Sequence, residues 1–218
     1  MFSKIFQKFI LNLHTKTYIL SSIFAINLNH GIHPKHKIIK YEEWFVENIS
    51  KNDVVLDIGC NTGIMTQSLS YKAGYVYGIE IDKKKINIAN TNSKKDNIQY
   101  ICADAAKYNY SDCKPIDVVT LSNVLEHIEH RVEFLKNLTN QIKWKNKNIK
   151  KLLIRVPMVD RDWIVIYKKE LGLRYKLDRT HFTEYTYHEF KNELLKCRIQ
   201  IKSYHIRFGE IYAICQVS

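Results

Sequence analysis

The decapeptide VVLDIGCNTG, residues 54–63, constrains the fold more than any other stretch of this chain. A β-rich apolar run ends at Asp57, and the chain then bends through Gly59 and Gly63 into a helical pattern. Glycine permits a tight turn and a close backbone approach. The helix that follows presents unpaired backbone N–H groups and the positive end of its dipole, a setting that suits a carboxylate. The glycines are spaced G-x-x-x-G, whereas the dinucleotide fingerprint is G-x-G-x-x-G. A ligand carrying an amino-acid group therefore fits this turn better than a dinucleotide. An ordinary strand–turn–helix joint would not need Asp57, Gly59 and Gly63 together.

From this point strand-like runs alternate with helical patterns. Residues 54–58, 75–81, 98–102, 116–122 and 152–156 read as strands, and 64–71, 84–92, 132–144 and 187–197 as helices. Repeated β-then-α units predict a parallel sheet covered on both faces. The chain ends differently, with strand-like runs at 199–206 and 211–217 joined across Gly209, a hairpin signal. The predicted class is α/β: a doubly wound, mostly parallel sheet of seven strands with an antiparallel C-terminal strand. Residues 35–218 make up this domain. The aromatic-rich insertion at 158–186 lies after the fifth strand, where long segments shape substrate pockets.

Residues 1–34 form a separate N-terminal segment. Phe2, Ile5, Phe6, Phe9, Ile10 and Leu13 fall at helical spacing, and a second apolar run covers 18–28. Neither run alone reaches the length of a membrane span. Three readings fit: a helical lid packed on the domain, an amphipathic membrane-surface segment, or a signal peptide. Against the last, His14 and Lys16 interrupt the apolar stretch and no A-x-A site follows.

Two further motifs place acids at strand ends. YGIEID (77–82) closes the second strand about 20 residues after the glycine turn, where a carboxylate accepts ribose hydroxyls. Glu80 has the better position, Ile81 follows it, and Asp82 is the alternate. In CADAAKY (102–108), Asp104 follows the third strand, where it can accept from an adenine amino group.

With these motifs in hand, the chain over roughly 35–218 resembles the class I S-adenosylmethionine (SAM)-dependent methyltransferases, which have a Rossmann-like fold. The resemblance implies that Asp57, Gly59, Cys60, Asn61 and Gly63 hold the methionine part of SAM, Glu80 the ribose, and Asp104 with Ala105 the adenine. Asn61 stands where the family often has glycine; asparagine tolerates left-handed backbone angles. DVVTLSNVLEHIEH (117–130) is similar to a segment of methyltransferases that act on quinones and on glycan or natural-product precursors. It implies that Ser122 and Asn123 sit beside the methionine end of SAM. The segment 33–49 resembles a lead-in that closes over the cofactor.

His127 and His181 are the candidate general bases, because histidine titrates near neutral pH. The first reading carries no metal. Glu126 with His127 is the alternative ligand set, since some relatives place E-x-x-E-H here and use a divalent cation; Asn123 replaces the first glutamate. No N-P-P-Y-type motif follows the fourth strand, which weakens an amide-methylation reading. The expected acceptor is a small molecule or a glycan-type precursor, methylated at oxygen. The alternatives are RNA, or a non-catalytic SAM-fold binding protein.

The net charge of +12 invites a nucleic-acid partner, but it comes mostly from lysine spread along the chain. Nucleic acid is therefore the weaker expectation, and peripheral membrane contact falls to the N-terminal segment. Five cysteines without a CxxC pair suggest a reducing, cytoplasmic setting. The oligomeric state stays open.

Overall fold

A computed structural model describes residues 2–30, 33–93 and 95–218. Met1, Gly31 and Ile32 of the predicted N-terminal segment, and Lys94, lie outside the described residues. The sheet is built outward from β1 (Val54–Ile58), whose last four residues are all buried. Such near-continuous burial is what a strand covered on both faces requires. β2 (Tyr75–Glu80) and β3 (Ile98–Cys102) extend the sheet in parallel on one side, and β4 (Val118–Ser122) and β5 (Lys150–Pro157) on the other. β6 (Ile199–Arg207) and β7 (Glu210–Val217) form the predicted hairpin, turning at Phe208 and Gly209, both at positive φ. β7 lies between β5 and β6 and antiparallel to both, giving the order β3-β2-β1-β4-β5-β7-β6. The chain winds outward in opposite directions from β1 and β4. Their C-terminal ends therefore open the crevice where ligands bind in such sheets.

The period-two alternation of the strands divides the core. Val55, Val76, Val118 and Leu153 face one side with Phe45, Met65 and Leu69. Leu56, Ile79, Leu121 and Ile154 face the other with Phe134, Leu138, Phe190 and Leu194. α4 (Ile64–Ser70) and α5 (Lys83–Asn92) cross between the first three strands. α6 (Arg131–Gln141) and α8 (Tyr187–Lys196) cover the larger cluster. The five cysteines are free, and only Cys102 is exposed.

The N-terminal segment departs from expectation. The two apolar runs join into one helix, α1 (Phe2–Leu28), long and apolar enough by length and composition to cross a bilayer. The intervening polar residues do not break it, and the Thr15 and Thr17 hydroxyls donate back to the Leu11 and Leu13 carbonyls at 3.1 Å. The packed-lid reading also fails. Among the described residues of α1 only Leu11 is buried, and its other apolar side chains are half or more exposed or only partly covered. The lead-in forms α2 (Lys35–Ile39) and α3 (Tyr41–Glu47), which pivot at Lys40 (φ 49°) and seat Phe45 on the sheet. The insertion holds an unforeseen helix, α7 (Trp163–Glu170), capped by Asp162, whose carboxylate accepts the Ile164 N–H at 3.0 Å.

Candidate cofactor and acceptor site

The glycine turn is held by backbone hydrogen bonds. The Gly59 and Cys60 N–H groups donate to the Ile79 carbonyl at 2.8 and 3.0 Å, and Gly63 N–H closes the loop onto Cys60 O at 2.9 Å. Gly59 (φ +71°) and Gly63 (φ +83°) take left-handed angles, and so does Asn61 (φ 52°). A methyl group on Gly59 would lie 2.7 Å from Val124 Cγ2, so the turn runs directly against the segment after β4. Cys60 turns its side chain inward, and burial pushes its thiol up. What Cys60 offers a ligand is therefore backbone.

Asp57 requires a correction. It is fully buried, and its carboxylate accepts hydrogen bonds from Thr66 (2.6 Å) and Thr120 (2.9 Å). Burial pushes its carboxyl up to about 7, against the lowering effect of the two hydroxyls. With no surface exposed, Asp57 cannot touch the cofactor; it ties β1, α4 and β4 together beneath the turn. Thr66 and Thr120 had no signal in the sequence beyond being small polar residues in apolar runs.

The strand-end acids divide by their partners. Glu80 is nearly buried, its two carboxylate oxygens accepting the Asn61 N–H (3.1 Å) and the Asp82 N–H (3.0 Å). Each oxygen keeps a further lone pair for a ribose hydroxyl. Asp82 is taken up as the N-cap of α5, accepting the Lys84 N–H at 2.8 Å, and Ile81 stands exposed between them. Asp104 is partly exposed after β3, accepting the Ala106 N–H at 3.0 Å, while the Ala105 carbonyl accepts from Tyr110. Ser122 ends β4.

Asn123, at φ 54°, is partly exposed. Its side-chain amide donates to Glu210 (3.3 Å) and its oxygen accepts from Arg155 Nε (3.3 Å). That ties it to the buried Arg155–Glu210 pair. Arg155 pairs with Glu210 at 3.6 Å and stacks over the Tyr41 ring at 3.8 Å, and Tyr212 donates to Glu210. The members come from β5, β7 and α3, so no local motif could reveal them.

The chain after Asn123 makes a single 3-10 turn, Leu125–His127. The Glu126 carbonyl accepts the Phe182 N–H at 2.7 Å, which draws the insertion onto this turn. Glu126, His127 and His181 thereby come together, each offering a ligand atom within 4.8 Å of the others. The Glu126 carboxylate is buried with no hydrogen-bond partner among the described residues, and burial pushes it up to about 8. The His127 and His181 rings meet edge-on at 4.7 Å.

Hydrogen bonds settle both tautomers. Thr180 spends its one hydroxyl hydrogen on Asp178 (2.8 Å), so it must accept from His127 Nδ1 (2.9 Å). His181 Nδ1 donates to Glu184 at 2.9 Å. Burial works against the Glu184 charge, yet hydrogen bonds from His181, Arg161 and the Leu177 N–H prevail and hold its carboxyl low. Neither Nε2 atom has a hydrogen-bond partner among the described residues. Burial and the neighbouring His181 lower the His127 pKa. The H-x-x-E spacing of His181 and Glu184 was the one available sequence signal for this support; Thr180 and Arg161 carried none.

Strand order, glycine turn and acids at successive strand ends give the fold of the class I, SAM-dependent methyltransferases. Residues 56–144 match the family described as methyltransferase domain. Among curated relatives, the chain is 40% identical over 75 residues to ribosomal RNA small subunit methyltransferase A of Pyrococcus furiosus, covering 34% of this chain and 27% of that protein. It is 28% identical over 95 residues to the ubiquinone biosynthesis O-methyltransferase of Coxiella burnetii, covering 43% and 40%. The chain thus matches less than half the length of these relatives. A SAM-dependent methyltransferase of Clostridium acetobutylicum shares the fold, with a TM-score of 0.62 at 12% identity over 93% of this chain and 99% of that one.

Proposed function

We propose that this protein transfers the methyl group of SAM to an oxygen atom of a small-molecule or glycan-type acceptor. The observation that carries the reading is the pair of histidines whose Nε2 atoms have no partner among the described residues, one on the turn after β4 and the other brought to it by the insertion. The sulfonium is already a good leaving group, so the protein chiefly aligns the acceptor and excludes water. Glu80 orients the ribose, and Asp104 with the Ala105 backbone meets the adenine. As the acceptor oxygen bonds to the methyl carbon, the carbon–sulfur bond breaks and S-adenosylhomocysteine leaves. The hydroxyl proton passes to Nε2 of His127 or His181.

The same residues suit a divalent cation. Glu126 supplies an unpartnered buried carboxylate, and Thr180 and Glu184 orient the two imidazoles as supporting groups orient metal ligands. His181 would supply the third ligand atom. Such an ion would polarise an acceptor hydroxyl.

The name of the Coxiella relative supports oxygen as the acceptor. RNA is the second reading, favoured by the charge of +12 and the Pyrococcus relative. The test is incubation of the purified protein with methyl-labelled SAM and a cell extract separated into small-molecule, lipid, glycan and RNA fractions. Label in the small-molecule or glycan fraction is expected, and label confined to RNA would overturn the acceptor assignment.

A further inference from the structure

α1 carries its apolar side chains on the outside. Ile5, Phe6, Phe9, Leu13, Ile23 and Phe24 are between 46% and 64% exposed. At helical periodicity they fall within one arc of about 100°. Leu11, the one buried residue, projects from the opposite side. The polar neighbours on that side touch the domain: the Lys168 ammonium on α7 donates to Thr15 Oγ1 at 2.9 Å and to His14 Nδ1 at 3.1 Å. The helix therefore docks by its polar face and turns its apolar face away.

Charge and the docking point together decide what covers that face. α1 contains Lys4, Lys8 and Lys16 and no acidic residue. A second copy of the helix packed on this face would bury Lys16 with no carboxylate on either helix to compensate it, whereas anionic lipid headgroups neutralise it. Lys16 falls inside the apolar arc, where its long stem can lie along the face with the ammonium reaching the headgroups. A helix of this length, about 40 Å, could span a bilayer. However, its contact with the domain lies at residues 11–15, mid-helix, and spanning would carry that contact and the Lys168 ammonium into hydrocarbon.

We propose that α1 lies in the plane of an anionic membrane surface, apolar arc down, and holds the methyltransferase domain there. This rests on the exposure, charge and docking of α1 and not on the acceptor assignment. The test is co-sedimentation of the full chain with phosphatidylcholine vesicles, with and without phosphatidylglycerol. Binding is expected to be at least about tenfold stronger with phosphatidylglycerol and to weaken as salt rises. The double variant Phe9→Glu, Phe24→Glu should lose it while keeping its SAM affinity by calorimetry, which separates lost binding from lost folding. Equal sedimentation of parent and variant would overturn the proposal. So would a parent dimer, seen by light scattering, that the double variant abolishes, because a second copy would then own the face. Resistance of membrane-bound protein to alkaline carbonate extraction would replace surface attachment by spanning.

Discussion

Glu80 and Asp82 stand two residues apart after the same strand, and hydrogen bonding decides between them. Asp82 is spent on capping α5, while Glu80 faces the turn with lone pairs to spare. Glu80→Ala should weaken SAM binding by roughly tenfold or more, since one hydrogen bond to a charged group is worth about 1.5–3 kcal/mol. Calorimetry on a variant with an unchanged circular dichroism spectrum checks this, and unaltered affinity would remove the ribose assignment. Asp57 has a different role, visible in stability rather than binding. Its folded-state pKa, about 7, lies above its ordinary value of 3.8, so the folded protein holds the extra proton. Its contribution to stability is full below the ordinary value and is lost as pH rises through about 7, with a slope of at most about 1.4 kcal/mol per pH unit. Asp57→Asn should flatten the pH dependence of the urea midpoint between pH 4 and 7. A variant curve parallel to that of the parent would contradict the assignment.

At the level of elements, the insertion brings His181 to the turn after β4. The sequence placed it correctly after the fifth strand but showed neither α7 nor the hydrogen bond from Phe182 to Glu126 that delivers His181. His181→Ala should lower kcat by about 10²–10⁴-fold, the usual worth of general acid–base catalysis, while SAM affinity stays within about twofold. Single-turnover kinetics with the identified acceptor, beside calorimetry, separate the two. An unchanged rate would exclude His181 as the base. The strand assignments were legible because apolar alternation is local. The β6–β7 hairpin was legible because Gly209 sits between two β-rich runs. α1 was misjudged for a local reason too: its polar middle looked like a break between two apolar runs, yet the helix runs through it.

The whole molecule is tied across its sheet by the Arg155 network, which joins β5, β7, α3 and the residue after β4. Arg155 and Glu210 are both nearly buried, so removing one partner leaves the other charge uncompensated. Glu210→Ala should cost about 3–5 kcal/mol of stability, read as a shift in the urea unfolding midpoint with the slope unchanged. A loss below about 1 kcal/mol would show that water replaces the ion pair. The network also holds the Asn123 side chain, at positive φ, toward Glu210 and Arg155.

The sequence by itself determined the αβ alternation, the turning glycines, the strand-end acids and the cofactor class, because each depends on neighbours within a few residues or on the fixed side-chain period of a strand. Only the tertiary structure decided that Asp57 is a buried tie and that Asn123 belongs to an ion-pair network. It alone gathered His181 to Glu126 and His127 and left the apolar arc of α1 uncovered. These outcomes depend on which groups meet across the fold, and hydrogen bonding and burial are settled by partners as many as 154 residues away.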